Sequence, residues 1–208
     1  MQEILRNILK QRRELAKQME DRFEQYFREA VVPDFGHASP ETGILAQEIL
    51  TPGDREEAVH ERIRALPGRP GLYVLMTDYL DGADCCTFLA DRGPLRAIYR
   101  GHSSNVMERV MGHLTNERYL AMCKSRTNKK PWGSYLRISD GLTGDGGIDI
   151  TRAPYASSRW AVVVYEMTPS SRDVRECAEN GFAAAFGLPA RSRNEPNNPV
   201  SRTARHAA

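Results

Sequence analysis

Apolar residues recur every three or four positions through the start of the chain: Ile4, Leu5, Ile8, Leu9, Leu15, Met19, Phe23, Tyr26, Phe27 and Val31. Arg, Lys, Glu and Asp fill the positions between them. That period predicts a long amphipathic helix over 2–31, roughly 45 Å at 1.5 Å per residue. Such a helix either packs on its own domain or serves as a dimerising arm, and helical period alone does not separate the two. The stretch 33–43, PDFGHASPETG, reads as a linker. A shorter helix is predicted from Asp54, an N-cap residue with Glu57 three positions later, to about Leu66. Pro67-Gly68-Arg69-Pro70-Gly71 ends it.

After Gly71 the pattern changes. Leu72-Tyr73-Val74-Leu75-Met76 and Leu95-Arg96-Ala97-Ile98-Tyr99 are strand candidates, and Trp160-Ala161-Val162-Val163-Val164-Tyr165 is the clearest strand in the chain. Residues 77–94 read as a turn or a decorated hairpin. Ser103 is the expected N-cap of a helix striped by Val106, Val110, Met111 and Leu114. Ser170 or Ser171 caps a last helix with Val174, Cys177, Ala178, Phe182, Ala185 and Phe186 on its apolar face. Residues 115–157 are polar, basic and Gly-rich, with two short strands expected at 136–138 and 148–150 around the turn DGLTGDGGID. The tail from Leu188 is Pro- and Asn-rich, and irregular structure ending in disorder is expected there.

The 208-residue chain is 40% hydrophobic and 27% charged, with a mean hydropathy of -0.54. No apolar run approaches the ~20 residues of a membrane span, so no membrane association is expected. The N-terminus lacks the apolar block of a secretory signal, which makes cytoplasmic residence the expectation. Cys85, Cys86, Cys123 and Cys177 have no zinc-type spacing, and two are adjacent, so reduced thiols are expected. A net charge of +2 conceals an uneven distribution. From Arg100 to Arg137 eight Lys or Arg face two Glu, whereas from Asp34 to Pro67 seven acidic residues face three basic ones. A basic block in a near-neutral chain points to an anionic partner meeting one face.

The candidate chemistry lies where two tyrosine-bearing strands meet a helix. Gly71-Leu72-Tyr73 ends one tripeptide and Tyr99-Arg100-Gly101 opens another. The second runs into Gly101-x-Ser103-x-Asn105-Val106-x-x-Arg109-Val110-x-x-His113. Arg109 and His113 are four apart and share one helix face. Arg offers a permanently charged fork for phosphate oxygens, and His can orient or deprotonate a hydroxyl near neutral pH. A tyrosine, with an ordinary pKa of about 10, acts as a base only where positive charge favours its phenolate.

These tripeptides and the helix after them resemble the GIY-YIG nuclease family. Glu179-Asn180-Gly181-Phe182, Pro189 and Asn194 match that family's C-terminal helix and the Asn beyond it. The resemblance implies an α/β (α+β) fold with a small central, mostly antiparallel sheet of about three strands flanked by helices. The expected organisation is an N-terminal helical arm over 1–32 and a linker and helix over 33–68. A nuclease domain follows over 69–198, with a basic insertion at 115–157, and then a flexible tail over 199–208. The chain departs from the family pattern in its longer separation of the tripeptides and in Arg100, where Ile is usual. The segment between His113 and Glu179 is also longer.

By this resemblance the catalytic set is Tyr73, Tyr99, Arg109, His113, Glu179 and Asn194. Tyr73 is the first choice as general base, and Tyr99 positions the water or the phosphate. Glu179 holds one Mg²⁺ (or Mn²⁺) per active site, with Glu176 as a rival one turn earlier. Asn197 and Asn198 are substitutes for Asn194. Cleavage would leave a 5′-phosphate and a 3′-hydroxyl. Arg100, Ser103 and Asn105 beside the site, Lys124, Arg126, Lys129, Lys130 and Trp132 in the insertion, and Arg191 and Arg193 in the tail are expected to contact the nucleic acid. The partner expected is DNA, with double-stranded DNA favoured, and the activity is that of a type II restriction-type endonuclease. A homodimer or higher oligomer through the 2–31 helix would bring two sites to one duplex. A non-specific, toxin or anti-invader nuclease of the same fold, a catalytically inactive nucleic-acid-binding module, and an interaction protein working through its N-terminal helix are the competing readings.

Overall fold

The two most continuous apolar runs of the chain lie side by side in one sheet, as strands β2 (Gly71–Thr77) and β5 (Trp160–Glu166), paired antiparallel. The computed structural model describes residues 1–30, 43–79, 87–90, 93–115, 138 and 148–189. Strand β4 (Gly93–Ser103) pairs with the other side of β2, and β3 (Thr87–Ala90) closes that edge as a hairpin with β4. Strand β1 (Ile44–Leu50) closes the opposite edge on β5. The order is β1-β5-β2-β4-β3, with every pairing antiparallel.

The fold is therefore α+β, and among the described residues its sheet has five strands where about three were expected. The two extra strands are the edges, Ile44-Leu45-Ala46-Gln47-Glu48-Ile49-Leu50 and Thr87–Ala90. Strand β1 is as long as β2 and β5, but Gln47 and Glu48 interrupt its apolar run and five of its seven residues are only part-buried. The pair expected at 136–138 and 148–150 is not a strand pair over its described residues. Asp149 makes one isolated antiparallel bridge to Thr115, and the chain turns from Ile150.

Helices cover both faces of the sheet, which is why all seven residues of β2 are buried. One face packs under α2 (Glu56–Arg64) and α3 (Val106–Leu114) through Ile49, Val59, Ile63, Leu75, Val106, Val110, Leu114 and Val162. Asp54 does not cap α2. Its carboxylate accepts the Thr51 amide at 2.7 Å and pairs with Arg62, and the N-cap is Arg55 without a side-chain bond.

The other face packs under α1 (Gln2–Ala30) and α4 (Arg172–Phe186) through Phe27, Leu72, Val74, Met76, Val163, Tyr165 and Phe182. Phe27 meets Tyr165 and Phe182 edge-on, with ring centroids 5.3 and 5.4 Å away. Contacts advance together along the two helices: Arg12 to Asp173 at 2.8 Å, Glu20 to Asn180 at 2.7 Å, and Arg28 to the Ala184 carbonyl at 2.9 Å. A Cβ on Gly181 would lie 2.5 Å from Phe23 Cβ and 2.9 Å from the Glu20 carbonyl oxygen, so this glycine sets how closely the helices approach. The second half of α1 thus packs on its own domain. Arg12 already meets the first turn of α4, so residues 2–11 project about 15 Å past it. Ile4, Leu5, Ile8 and Leu9 on that overhang are each more than 50% exposed.

Candidate active site

The β2–β4 register places Tyr73 opposite Gly101 and Leu75 opposite Tyr99. Both tyrosines lie on the α3 face, with rings near parallel and centroids 6.3 Å apart. Gly101 makes room for them. A Cβ there would sit 2.6 Å from the Tyr73 hydroxyl oxygen and 3.0 Å from the Tyr99 ring.

Strand β4 turns into α3 through Ser103-Ser104-Asn105. Ser103 Oγ accepts the Asn105 amide at 3.0 Å, and Asn105, rather than the expected Ser103, is the N-cap that accepts the Glu108 amide. Both side chains that were expected to touch nucleic acid are thus engaged in making the turn. The amides of Val106 and Met107 donate to the carbonyls of Arg69 and Pro67, which fixes the start of α3 beside the entry to β2.

Pinned this way, α3 directs His113 inward. His113 is buried, its Nε2 lies 2.8 Å from the Tyr73 hydroxyl, and its ring centroid is 4.7 Å from that of Tyr99. Arg109 follows one turn earlier, half-buried, and makes no ion pair with a described residue. Burial pushes the Tyr73 phenol well above its usual range, and Tyr99 adds to this. The Arg109 charge acts in the opposite direction but is outweighed, so the resting group is a neutral phenol.

Strand alternation sends Arg100 and His102 to the opposite face, onto α4. Arg100 is buried, with Nη1 paired to Glu179 Oε1. His102 Nε2 lies 3.6 Å from Glu179 Oε2 and 3.8 Å from Glu176 Oε1, and Glu176 is held by Arg172 at 2.7 Å. Burial lowers the His102 pKa to about 4, helped by Arg175, Arg172, Arg109 and Arg100, so the imidazole is neutral near pH 7. Burial also raises Glu179, with Glu176 adding to it, against the lowering effect of Arg100 and Arg109. Arg100 is thus spent on Glu179 and Arg172 on Glu176. The Arg109 charge acts on both Tyr73 and Glu179.

Among the described residues no group of three His, Cys, Asp or Glu is arranged to hold a metal ion. A caged zinc site therefore does not fit these residues. A hard cation held through one carboxylate, with water and substrate phosphate completing its shell, would need Glu179 Oε1 to leave Arg100.

Of the residues expected in the site, Tyr73, Tyr99 and His113 come together on the α3 face with Arg109 one turn away, whereas Arg100 and Glu179 pair on the α4 face. Asn194, Lys124, Arg126, Lys129, Lys130, Trp132, Arg191 and Arg193 lie outside the described residues, as do Asn197, Asn198, Cys85, Cys86 and Cys123. Cys177 is a free, buried thiol. Arg100, expected at the nucleic-acid surface, is buried against Glu179. His102 and Arg175 were not foreseen, although the period of two along β4 placed His102 on the Arg100 face. No family model, curated protein or solved structure matches the chain. Among the described residues no helix is long and apolar enough to cross a membrane.

Proposed function

We propose that this chain is a metal-dependent endonuclease that hydrolyses DNA phosphodiester bonds, a type II restriction-type enzyme acting on double-stranded DNA. The observation that carries the reading is the buried Tyr73–His113 hydrogen bond beside Tyr99, one helical turn from the half-buried Arg109. A neutral phenol is a poor base alone. Bonded to His113, Tyr73 takes a proton from the attacking water while its own proton passes to Nε2, so no free phenolate forms. The ring tautomer, with Nε2 as acceptor, is assigned from this chemistry. Tyr99 flanks the attacking water, and Arg109 neutralises charge developing on the phosphoryl oxygens. Glu179 would hold the divalent cation, Mg²⁺ or Mn²⁺, which supplies Lewis-acid charge at the phosphate. The charge of the half-buried Arg109 suits a polyanion.

Two protomers would serve one duplex, with the exposed apolar overhang of α1 as the means of association. The test is plasmid cleavage with Mg²⁺, with EDTA, and by Glu179→Ala and Arg109→Ala. Discrete metal-dependent fragments are expected, reduced about 10²–10³-fold in Arg109→Ala. Smearing would instead indicate a non-specific nuclease, and binding without cleavage a nucleic-acid-binding module.

A further inference from the structure

Arg100 stands at the centre of the second tyrosine tripeptide, and its position is set by strand geometry. It pairs across the sheet with Val74 and faces α4, away from the tyrosines. Its side chain is only 7% exposed, and Nη1 is on Oε1 of Glu179. The second oxygen of that carboxylate faces His102 Nε2 at 3.6 Å. Both oxygens of Glu179 thus already have a nitrogen beside them, and one of these nitrogens carries a full charge.

We infer that Arg100 is a latch on Glu179. It neutralises and holds the carboxylate in the metal-free protein, and a divalent cation binds by taking Glu179 over from it. This inference rests on the nuclease reading, in which Glu179 is the metal carboxylate. Two points decide the direction of the effect. A guanidinium and a divalent cation compete for the same lone pairs, and their mutual repulsion at a poorly solvated carboxylate is large. Glu176, one turn earlier, has its Oε1 held by Arg172 at 2.7 Å. Arg100 therefore keeps metal affinity low, and Glu179 is held in place without a cation. Arg100 is a positioning residue that acts through Glu179.

The test is Mn²⁺ titration of the EDTA-stripped full-length chain, followed by the loss of the free-ion electron paramagnetic resonance signal. Arg100→Met should bind one Mn²⁺ at least tenfold more tightly than wild type, with Arg100→Lys between them and Glu179→Gln losing the site. Arg100→Met leaves a buried carboxylate unpaired, so its unfolding midpoint in EDTA should fall and then recover with Mn²⁺, while wild type responds little. Equal or weaker Mn²⁺ binding by Arg100→Met, with no recovery of its midpoint, overturns the latch. So does a Glu179→Gln protein that binds Mn²⁺ as wild type does. If Arg100→Met does not fold, Arg100→Lys decides: tighter binding supports the latch and unchanged binding overturns it. Wild-type plasmid cleavage separates the two ideas. Cleavage without the affinity change sinks the latch alone, whereas a tightened Mn²⁺ site on a protein that never cuts sinks the nuclease reading.

Discussion

The Tyr73 hydroxyl lies 2.8 Å from Nε2 of His113, a side chain 40 residues further along the chain. Two constraints bring them together. The Tyr73–Gly101 register leaves space over β4 for the phenol, and the amide bonds from Val106 and Met107 to the 67–69 loop fix α3 above it. Tyr73→Phe removes one oxygen and little else. Its cost in stability should be about 1 kcal/mol, that of one buried hydrogen bond. Cleavage should fall about 10²–10⁴-fold, the range of a lost acid–base group. Urea unfolding and plasmid cleavage measure the two effects separately, and a Phe variant cutting at the wild-type rate removes Tyr73 from the chemistry.

Gly181→Ala should loosen α1 from the domain. The added Cβ meets backbone atoms of Glu20 and Glu24 at 2.9 Å, so no side-chain rotation relieves the clash and the helices must separate. A loss of about 1–3 kcal/mol is expected for such overpacking. Faster proteolysis within α1, with the sheet still folded by circular dichroism, would identify the cause. Unchanged stability would mean that the α1–α4 contact yields more easily than its geometry suggests.

Stability should fall at alkaline pH. Burial raises the Cys177 thiol from an ordinary 9.0 to about 11, and it raises the phenols of Tyr73 and Tyr165 above 10.0. In the unfolded chain these groups lose their protons near pH 9 and 10. The folded protein keeps them to higher pH and so holds more protons in that interval. Stability is therefore intact below about pH 9 and declines as pH rises through the folded values. Unfolding midpoints at pH 7, 9 and 10.5 should show the decline, and Cys177→Ser should lessen it. A flat profile would contradict the burial of these three groups.

Deleting residues 2–11 should leave the fold intact, because they are all exposed and precede Arg12, which pairs with Asp173 in the first turn of α4. If Ile4, Leu5, Ile8 and Leu9 associate two copies, the deletion gives a monomer by light scattering and turns double-strand breaks into nicks. An oligomeric state unchanged by the deletion places association elsewhere.

Much of the framework is legible in the order of residues alone. The runs in β2, β4 and β5 are apolar enough to name as strands, and helical period marks α1, α3 and α4. The four-residue spacing of Arg109 and His113 puts them on one helix face before any contact is known. These features depend on the local geometry of a helix or strand, with periods of 3.6 and 2, so a short window of sequence contains them. The edge strands β1 and β3 escaped, because an edge takes its order from the neighbour it pairs with. The cap on α3 lies two residues beyond the expected Ser103, since Ser103 and Asn105 are both good cap residues and the bonds to Arg69 and Pro67 select between them. The pairing of Arg100 with Glu179 and the placing of His102 against two carboxylates were likewise decided only by the tertiary structure. Each joins residues more than 70 positions apart, and which side chains meet depends on strand register and on where α4 is set down on the sheet. Burial then sets their charge states. The sequence determined which chemical groups are present and which local elements carry them, while long-range packing decided which groups meet, how dry they are, and so what they can do.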